Sequence, residues 1–233
     1  DFIPFDDSRR LTGFNLYFRD VGAVLETRGP PPDESTLQAW DVDVPRACAA
    51  LGWPAGERVI RRHRTGASLA LVAPLDQLFS ATEVNEWAWA RAYEAWHEPL
   101  AARFHAPGHP ATWDEDSAMH TLRAFAAAER QPALLALVDA ARQRDLPVLV
   151  DEYLSIGAGD GAACWPISAL PAPDELDWAA LHAVPVALVT GSNGKTTTVR
   201  LLAAMARAHG WHAGHSCTDG VFVDERLLDR SEE

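Results

Sequence analysis

From Leu188 to Thr198 the chain reads Leu-Val-Thr-Gly-Ser-Asn-Gly-Lys-Thr-Thr-Thr, a set of residue types suited to holding phosphate. Gly191 and Gly194 permit backbone conformations closed to other residues and let N–H groups approach an anion closely, with Ser192 and Asn193 in the loop between them. A helix beginning near Lys195 turns the positive end of its dipole to the same place. Lys195 brings a compact ammonium to the outer phosphates of a nucleotide such as ATP, which makes it the candidate catalytic residue. Thr196 offers a hydroxyl to Mg²⁺, and Thr197 is a second hydroxyl in reach.

These residues need a strand before them and a helix after. The run 185–189 is short and apolar, as in a strand buried on both faces, while Val199, Leu201, Leu202 and Met205 recur at helical spacing. Strand, glycine turn and helix follow in the order a phosphate-binding loop requires, and the Gly-Lys-Thr-Thr string is far more specific than a lone glycine pattern. A purely structural turn is the lesser reading. The general loop pattern also has a glycine five positions before the Gly-Lys pair, where this chain has Val189.

The form that stands instead, Thr190-Gly191-Ser192-Asn193-Gly194-Lys195-Thr196-Thr197, resembles the nucleotide loop of the Mur ligases and their relatives, folylpolyglutamate synthase and cyanophycin synthetase. Downstream, Cys217-Thr218-Asp219-Gly220-Val221 is similar to the Thr-Thr-Asp-Gly-Ile segment of cyanophycin synthetase, with Cys217 in place of the first threonine. Upstream, Arg10-Leu11-Thr12-Gly13-Phe14-Asn15 resembles that family's Arg-Gly-Pro-Asn opening, with Phe14 replacing the proline. The stretches 137–141, 146–148 and 154–159 resemble the region before its ATP-grasp core. After Gly161 only about thirty residues precede the loop, too few for an ATP-grasp domain.

The resemblance implies an ATP-dependent carbon–nitrogen ligase of Mur type. In that reading ATP and Mg²⁺ are cofactors, and a carboxylate substrate, amino acid or peptide, becomes an acyl phosphate that an amine attacks. It also implies a place for Thr218 and Asp219 near the metal or the acceptor. The fold class it implies is α/β: an N-terminal α+β domain over 1–170, a linker over 171–183 rich in proline, and over 184–233 the start of a Mur-type parallel-sheet ATP-binding domain. Because the loop lies close to the C-terminus and the chain opens at Asp1, the expectation is a truncated piece of a larger enzyme. A phosphate-loop NTPase or phosphotransferase, and a non-catalytic nucleotide-binding fragment, are the alternatives.

Composition excludes several partners. With 20 basic and 33 acidic side chains the net charge is −13, which argues against a phosphate-backbone footprint on nucleic acid or an anionic membrane. No apolar run approaches the length of a transmembrane helix. The cysteines Cys48, Cys164 and Cys217 are odd in number and widely spaced, so a disulfide framework is not expected and a cytoplasmic location is.

Upstream, the residue pattern predicts a strand over 21–27, a helix over 34–51 interrupted at Pro45, and a hairpin of 59–63 and 68–73 about Thr65-Gly66. A long helix follows, opened by a capping box of Ser80 and Glu83, faced by Val84, Trp87, Ala88, Arg91, Ala95 and Trp96, and ended by Pro99. Helices over 117–129 and 132–144, a strand over 148–150, a short helix or turn over 176–182 and a strand over 221–223 complete the expected elements.

Other groupings have plainer explanations. His209, His212 and His215 with Cys217 are metal-ligand types, but Gly210 and Gly214 break any shared face. The glycine-rich run 157–161 leads to no helix, so a tight hairpin is favoured over an anion site. Glu83 and Glu86, with His63 and His97, could form an acid–base site, but carboxylates near a helix start are explained by capping and solvation. Trp87, Trp89 and Trp96 are assigned to an interface, with the ATPase domain or with a second copy in a homo-oligomer.

Overall fold

The computed structural model of the chain describes residues 5–96 and 115–229. They fall into two compact units, one of 1–155 with 164–176 and one of 156–163 with 177–233. All its sheets are antiparallel or short, and helices and strands are mixed throughout.

The first unit is built on a four-stranded sheet of β1 (Phe5–Leu11), β2 (Gly22–Thr27), β3 (Arg58–His63) and β4 (Gly66–Val72), in the order β1-β2-β4-β3. Every pairing in it is antiparallel, and β1 and β3 are the edges. Strand β1 has no apolar alternation and was not expected; it pairs along the strongly apolar β2, which supplies the burial that β1 lacks. The hairpin β3–β4 turns through Arg64-Thr65, with His63 opposite Gly66. One face of the sheet carries Ala23, Leu25, Leu69 and Leu71 into the main core, and the other carries Val24 and Ala70 against Phe18.

Three helices cover the first face. Helix α1 (Glu34–Leu51) starts at Asp33, whose carboxylate accepts from the Thr36 N–H at 2.8 Å, and ends at Gly52 in the left-handed region with φ of 75°. It runs through Pro45 unbroken, against the predicted interruption. Trp40, Val44 and Ala47 are buried in the core on both sides of the proline, and that packing outweighs one lost helical bond.

Helix α2 (Leu78–Trp96) begins before Ser80, and the expected capping box does not form. The Glu129 carboxylate at the end of α3 (Glu115–Glu129) instead accepts from the Phe79 N–H at 2.7 Å and from the Ser80 N–H and hydroxyl at 2.8 Å each. A cap supplied from another helix leaves no local trace in the sequence. Trp87 and Trp89 are 2% and 1% exposed, so they are core and not interface residues. The side chains of Ala95 and Trp96, together with His97 and Pro99, lie outside the described residues.

Several polar groups inside this core are paired. The Trp40 indole donates to Asn85, whose amide donates to the Leu69 carbonyl, both at 2.8 Å, and the Trp53 indole donates to Gln77 at 2.8 Å. Asp43 receives Arg46 and Arg91, and Glu115 receives the same two arginines, tying α1, α2 and α3 together. Helix α4 (Pro132–Arg142), started by its proline, leads to a small sheet of β5 (Val148–Val150), β6 (Tyr153–Ile156) and β7 (Ala163–Pro166). The run 157–161 leads from β6 toward β7 through a 3-10 turn at Gly159–Gly161 in place of the expected tight hairpin, with Gly157 and Gly159 at φ of 87° and 61°. A cleft of about 680 Å³ lies beside Phe18, Gly56, Val72 and Val138; its charged rim of Arg19, Glu57, Asp139 and Arg142 is solvated.

In the second unit the segment 185–189 is not a strand, and Val186 and Leu188 are 71% and 94% exposed. A strand buried on both faces requires neighbours on both edges. The strands described in this unit, β8 (Gly214–Cys217), β9 (Gly220–Val223) and β10 (Arg226–Asp229), pair only with one another as an antiparallel meander, β10-β9-β8. The expected parallel sheet is therefore absent among the described residues. Helix α5 (Lys195–Ala208) forms as predicted, but Leu201, Leu202 and Met205 stay exposed and only Ala203 is buried. Ahead of it, 178–180 form a turn, as expected.

Candidate functional site

The glycine turn forms although the strand before it does not. Gly191 stands at φ of 138°, and Gly194, the residue before α5, at 78° with ψ near 0°. No atom lies within 4 Å of where a Gly194 side chain would sit, so backbone conformation, not crowding, is what glycine serves there. The first turn of α5 is closed by the Thr198 N–H on the Gly194 carbonyl at 2.9 Å. Ser192, Asn193 and Thr197 are exposed.

Lys195 folds back over its own loop, its ammonium donating to the Gly191 carbonyl at 2.6 Å and reaching the Ser192 carbonyl at 3.4 Å. The cation is thereby held over the turn that presents the backbone N–H groups. The Thr196 and Thr218 hydroxyls are 3.2 Å apart, across 22 positions of sequence. Arg200, one turn further along α5, pairs with Asp219 at 2.6 Å, and the Cys217 thiol donates to the same carboxylate at 3.7 Å. Thr196 and Arg200 are four apart and share a helix face, so they fasten the 217–219 turn to the start of α5.

Of the candidate residues, the structure gathers Lys195, Thr196, Thr218 and Asp219 at one end of α5. Thr197 is on the same turn and is exposed. Arg200 was missed; its signal is its place four residues after Thr196, on the face that meets the next connection. The donor set suits Mg²⁺, since two hydroxyls and a carboxylate are hard oxygen ligands.

The three histidines go to three different neighbours. His209 meets Trp211 edge-on at 4.9 Å and His215 stacks on Phe222 at 5.0 Å. His212 pairs with Asp224 at 2.5 Å, which holds the imidazole above its usual range, and the carboxyl is held below its own mainly by the same bond. Asp224 and Glu225 form the β9–β10 turn at φ of 45° and 72°, and Asp224 anchors it by accepting from the Ala213 N–H at 3.0 Å.

His63 sits at the end of β3, 3.4 Å from Glu26. Glu83 and Glu86 are not the solvated capping residues expected. Burial, with Glu86 and Glu129 adjacent, pushes the Glu83 carboxyl up to about 7, and burial pushes Glu86 up as well, opposed by the Ser8 hydroxyl.

What the second unit builds is thus a glycine turn at the head of a helix, with a lysine, two hydroxyls and a carboxylate drawn to it. No protein-family model matches the chain. Over 49 residues, however, it is 45% identical to the cyanophycin synthetase of Crocosphaera subtropica and 41% identical to those of Geminocystis herdmanii and Synechocystis. A region of this chain is therefore related to cyanophycin synthetase. The matched region is 21% of this chain and 6% of each of these relatives, so the chain spans a small fraction of their length. No helix among the described residues is long and apolar enough to cross a membrane.

Proposed function

We propose that the chain belongs to an ATP-dependent ligase of Mur type, whose second unit holds the phosphates of ATP and which activates a carboxylate, of an amino acid or peptide, for attack by an amine. The observation that carries this reading is the convergence of Lys195, Thr196, Thr218 and Asp219 at the glycine turn. The similarity to proteins named synthetases supports it. In this reading the N–H groups around Asn193 and Gly194 bind the phosphates, and Lys195 leaves its two carbonyls to offset charge on the transferring phosphoryl group. Thr196, Thr218 and Asp219 are the residues that would hold Mg²⁺, which when bound neutralises phosphate charge. Arg200 keeps Asp219 in place until then.

The region over 1–170 would dock or present the substrate, and 184–233 would belong to the nucleotide-binding domain, with 171–183 linking them; the setting is the cytoplasm. The reaction class is tested by withholding the amine and adding hydroxylamine. An acyl phosphate gives a hydroxamate, and ADP release then depends on the carboxylate. Phosphate release at the full rate without any carboxylate would instead favour a simple NTPase.

A further inference from the structure

Phe79, Glu83 and Glu86 follow one another at four- and three-residue steps and so lie on one face of α2. Strand β1 meets that face at both ends: the Arg10 guanidinium lies over the Phe79 ring, 5.2 Å from its centroid, and Ser8 stands beside Glu86. Glu83 lies between them on that face. Its Oε2 is fully shielded from solvent and has no hydrogen-bond partner among the described residues. An ionised carboxylate in that position would carry charge without a donor.

The neighbours make this worse. Glu86 is one turn away on α2, and Glu129 of α3 is held at the helix start by three donors. Of the two arginines of β1, Arg10 lies over Phe79 and Arg9 pairs with Asp7 and Glu26. Strands β2 and β4 present apolar Ala23, Leu25, Leu69 and Leu71 to the helices. From α1, Asp43 is engaged with Arg91 two turns further along, and Asp76, before α2, accepts from the Gln131 N–H at 2.8 Å. Three carboxyls thus share one patch with no cation bound to Glu83, and a proton is the smallest thing that relieves it.

We propose that Glu83, with Glu86 and Glu129, forms a proton-operated latch between α2 and the edge strand β1, closed when Glu83 is protonated and loosened when it ionises. Because the folded chain holds this proton more tightly than the unfolded chain does, stability is greatest below the ordinary carboxylate range. It falls as pH rises toward about 7, where the folded Glu83 carboxyl titrates, and levels off above. The inference concerns the first unit alone and stands or falls separately from nucleotide binding.

The test compares the full chain with its Glu83→Gln variant between pH 5 and 8 at constant salt, following thermal unfolding and amide-exchange protection of β1 against β4. The wild type should lose about 5 °C of melting temperature over that interval, with β1 protection falling more than that of β4. Glu83→Gln, which keeps the shape but cannot ionise, should flatten most of the change and melt above the wild type at pH 8. An equal pH dependence in the variant, or unchanged β1 protection in the wild type, overturns the latch. Should the variant not fold, a carboxyl carbon titration of Glu83 in the wild type decides: a midpoint within the ordinary carboxylate range refutes it.

Discussion

Trp87 and Leu188 are both large apolar residues in strongly apolar surroundings of sequence, yet one is 2% and the other 94% exposed. The difference lies in what each unit offers as a partner. In the first unit, three helices close on one face of a four-stranded sheet and bury Leu37, Trp40, Val84 and Trp87 in a large apolar core, while Phe14, Leu16 and Leu149 lie outside it. In the second, a single helix and a three-stranded meander leave Leu188, Leu201 and Met205 facing water. The glycine turn before α5 belongs to the unit with the poorer core. Its geometry rests on two glycines and on the Thr198 N–H that closes the first turn of α5, which form locally, so it does not wait on the packing around it.

Substitutions at matched residue types sharpen this contrast most. Trp87→Ala empties a filled site in the first core and should cost about 3–5 kcal/mol of stability by denaturant unfolding. Leu201→Ala, on the exposed face of α5, should stay within about 0.5 kcal/mol. Equal losses at the two positions would mean that the apolar side chains of α5 are covered in solution, and the contrast between the units would fail.

The smaller effect concerns charge at the far end of the second unit. His212 should titrate above an ordinary histidine by NMR, returning to the usual range in Asp224→Asn. The sign follows from each partner: the histidine's share of the pair is present at low pH and lost as pH rises through its raised value. Asp224's share is present at neutral pH and lost as pH falls through its lowered value. The pair is fully exposed, so its effect on melting should be the least of those described here. An unshifted His212 would remove the anchor assigned to the Asp224–Glu225 turn.

What could be read from the residues in advance follows the same division. Periodicity located α1, α3, α4 and the β3–β4 hairpin, because their apolar faces match their cover. Gly191, Gly194, Lys195 and Thr196 announced their turn, because the demand for positive φ and a helix start is local. The failures are tertiary. Strand β1 is held by its neighbour, the start of α2 is capped by Glu129 from another helix, and Trp89 is core because α2 packs against both α1 and the sheet. The segment 185–189 has the pattern of a buried strand and lacks the partners. Arg200 acquires a role only when the 217–219 turn is brought beside α5.

The central claim is that the glycine turn with Lys195 binds the phosphates of a nucleotide, and ligand-induced stabilisation in the protein that carries this chain measures it most directly. MgATP at a hundred times its Kd should contribute about 2.7 kcal/mol, seen as a rise in melting temperature of the unit that contains α5. Lys195→Ala should leave the unliganded melting temperature nearly unchanged, since that side chain is exposed and its bonds are to carbonyls of its own loop, and should abolish most of the rise. A wild-type protein that does not respond to MgATP, or a Lys195→Ala protein that responds as fully as the wild type, would contradict the account.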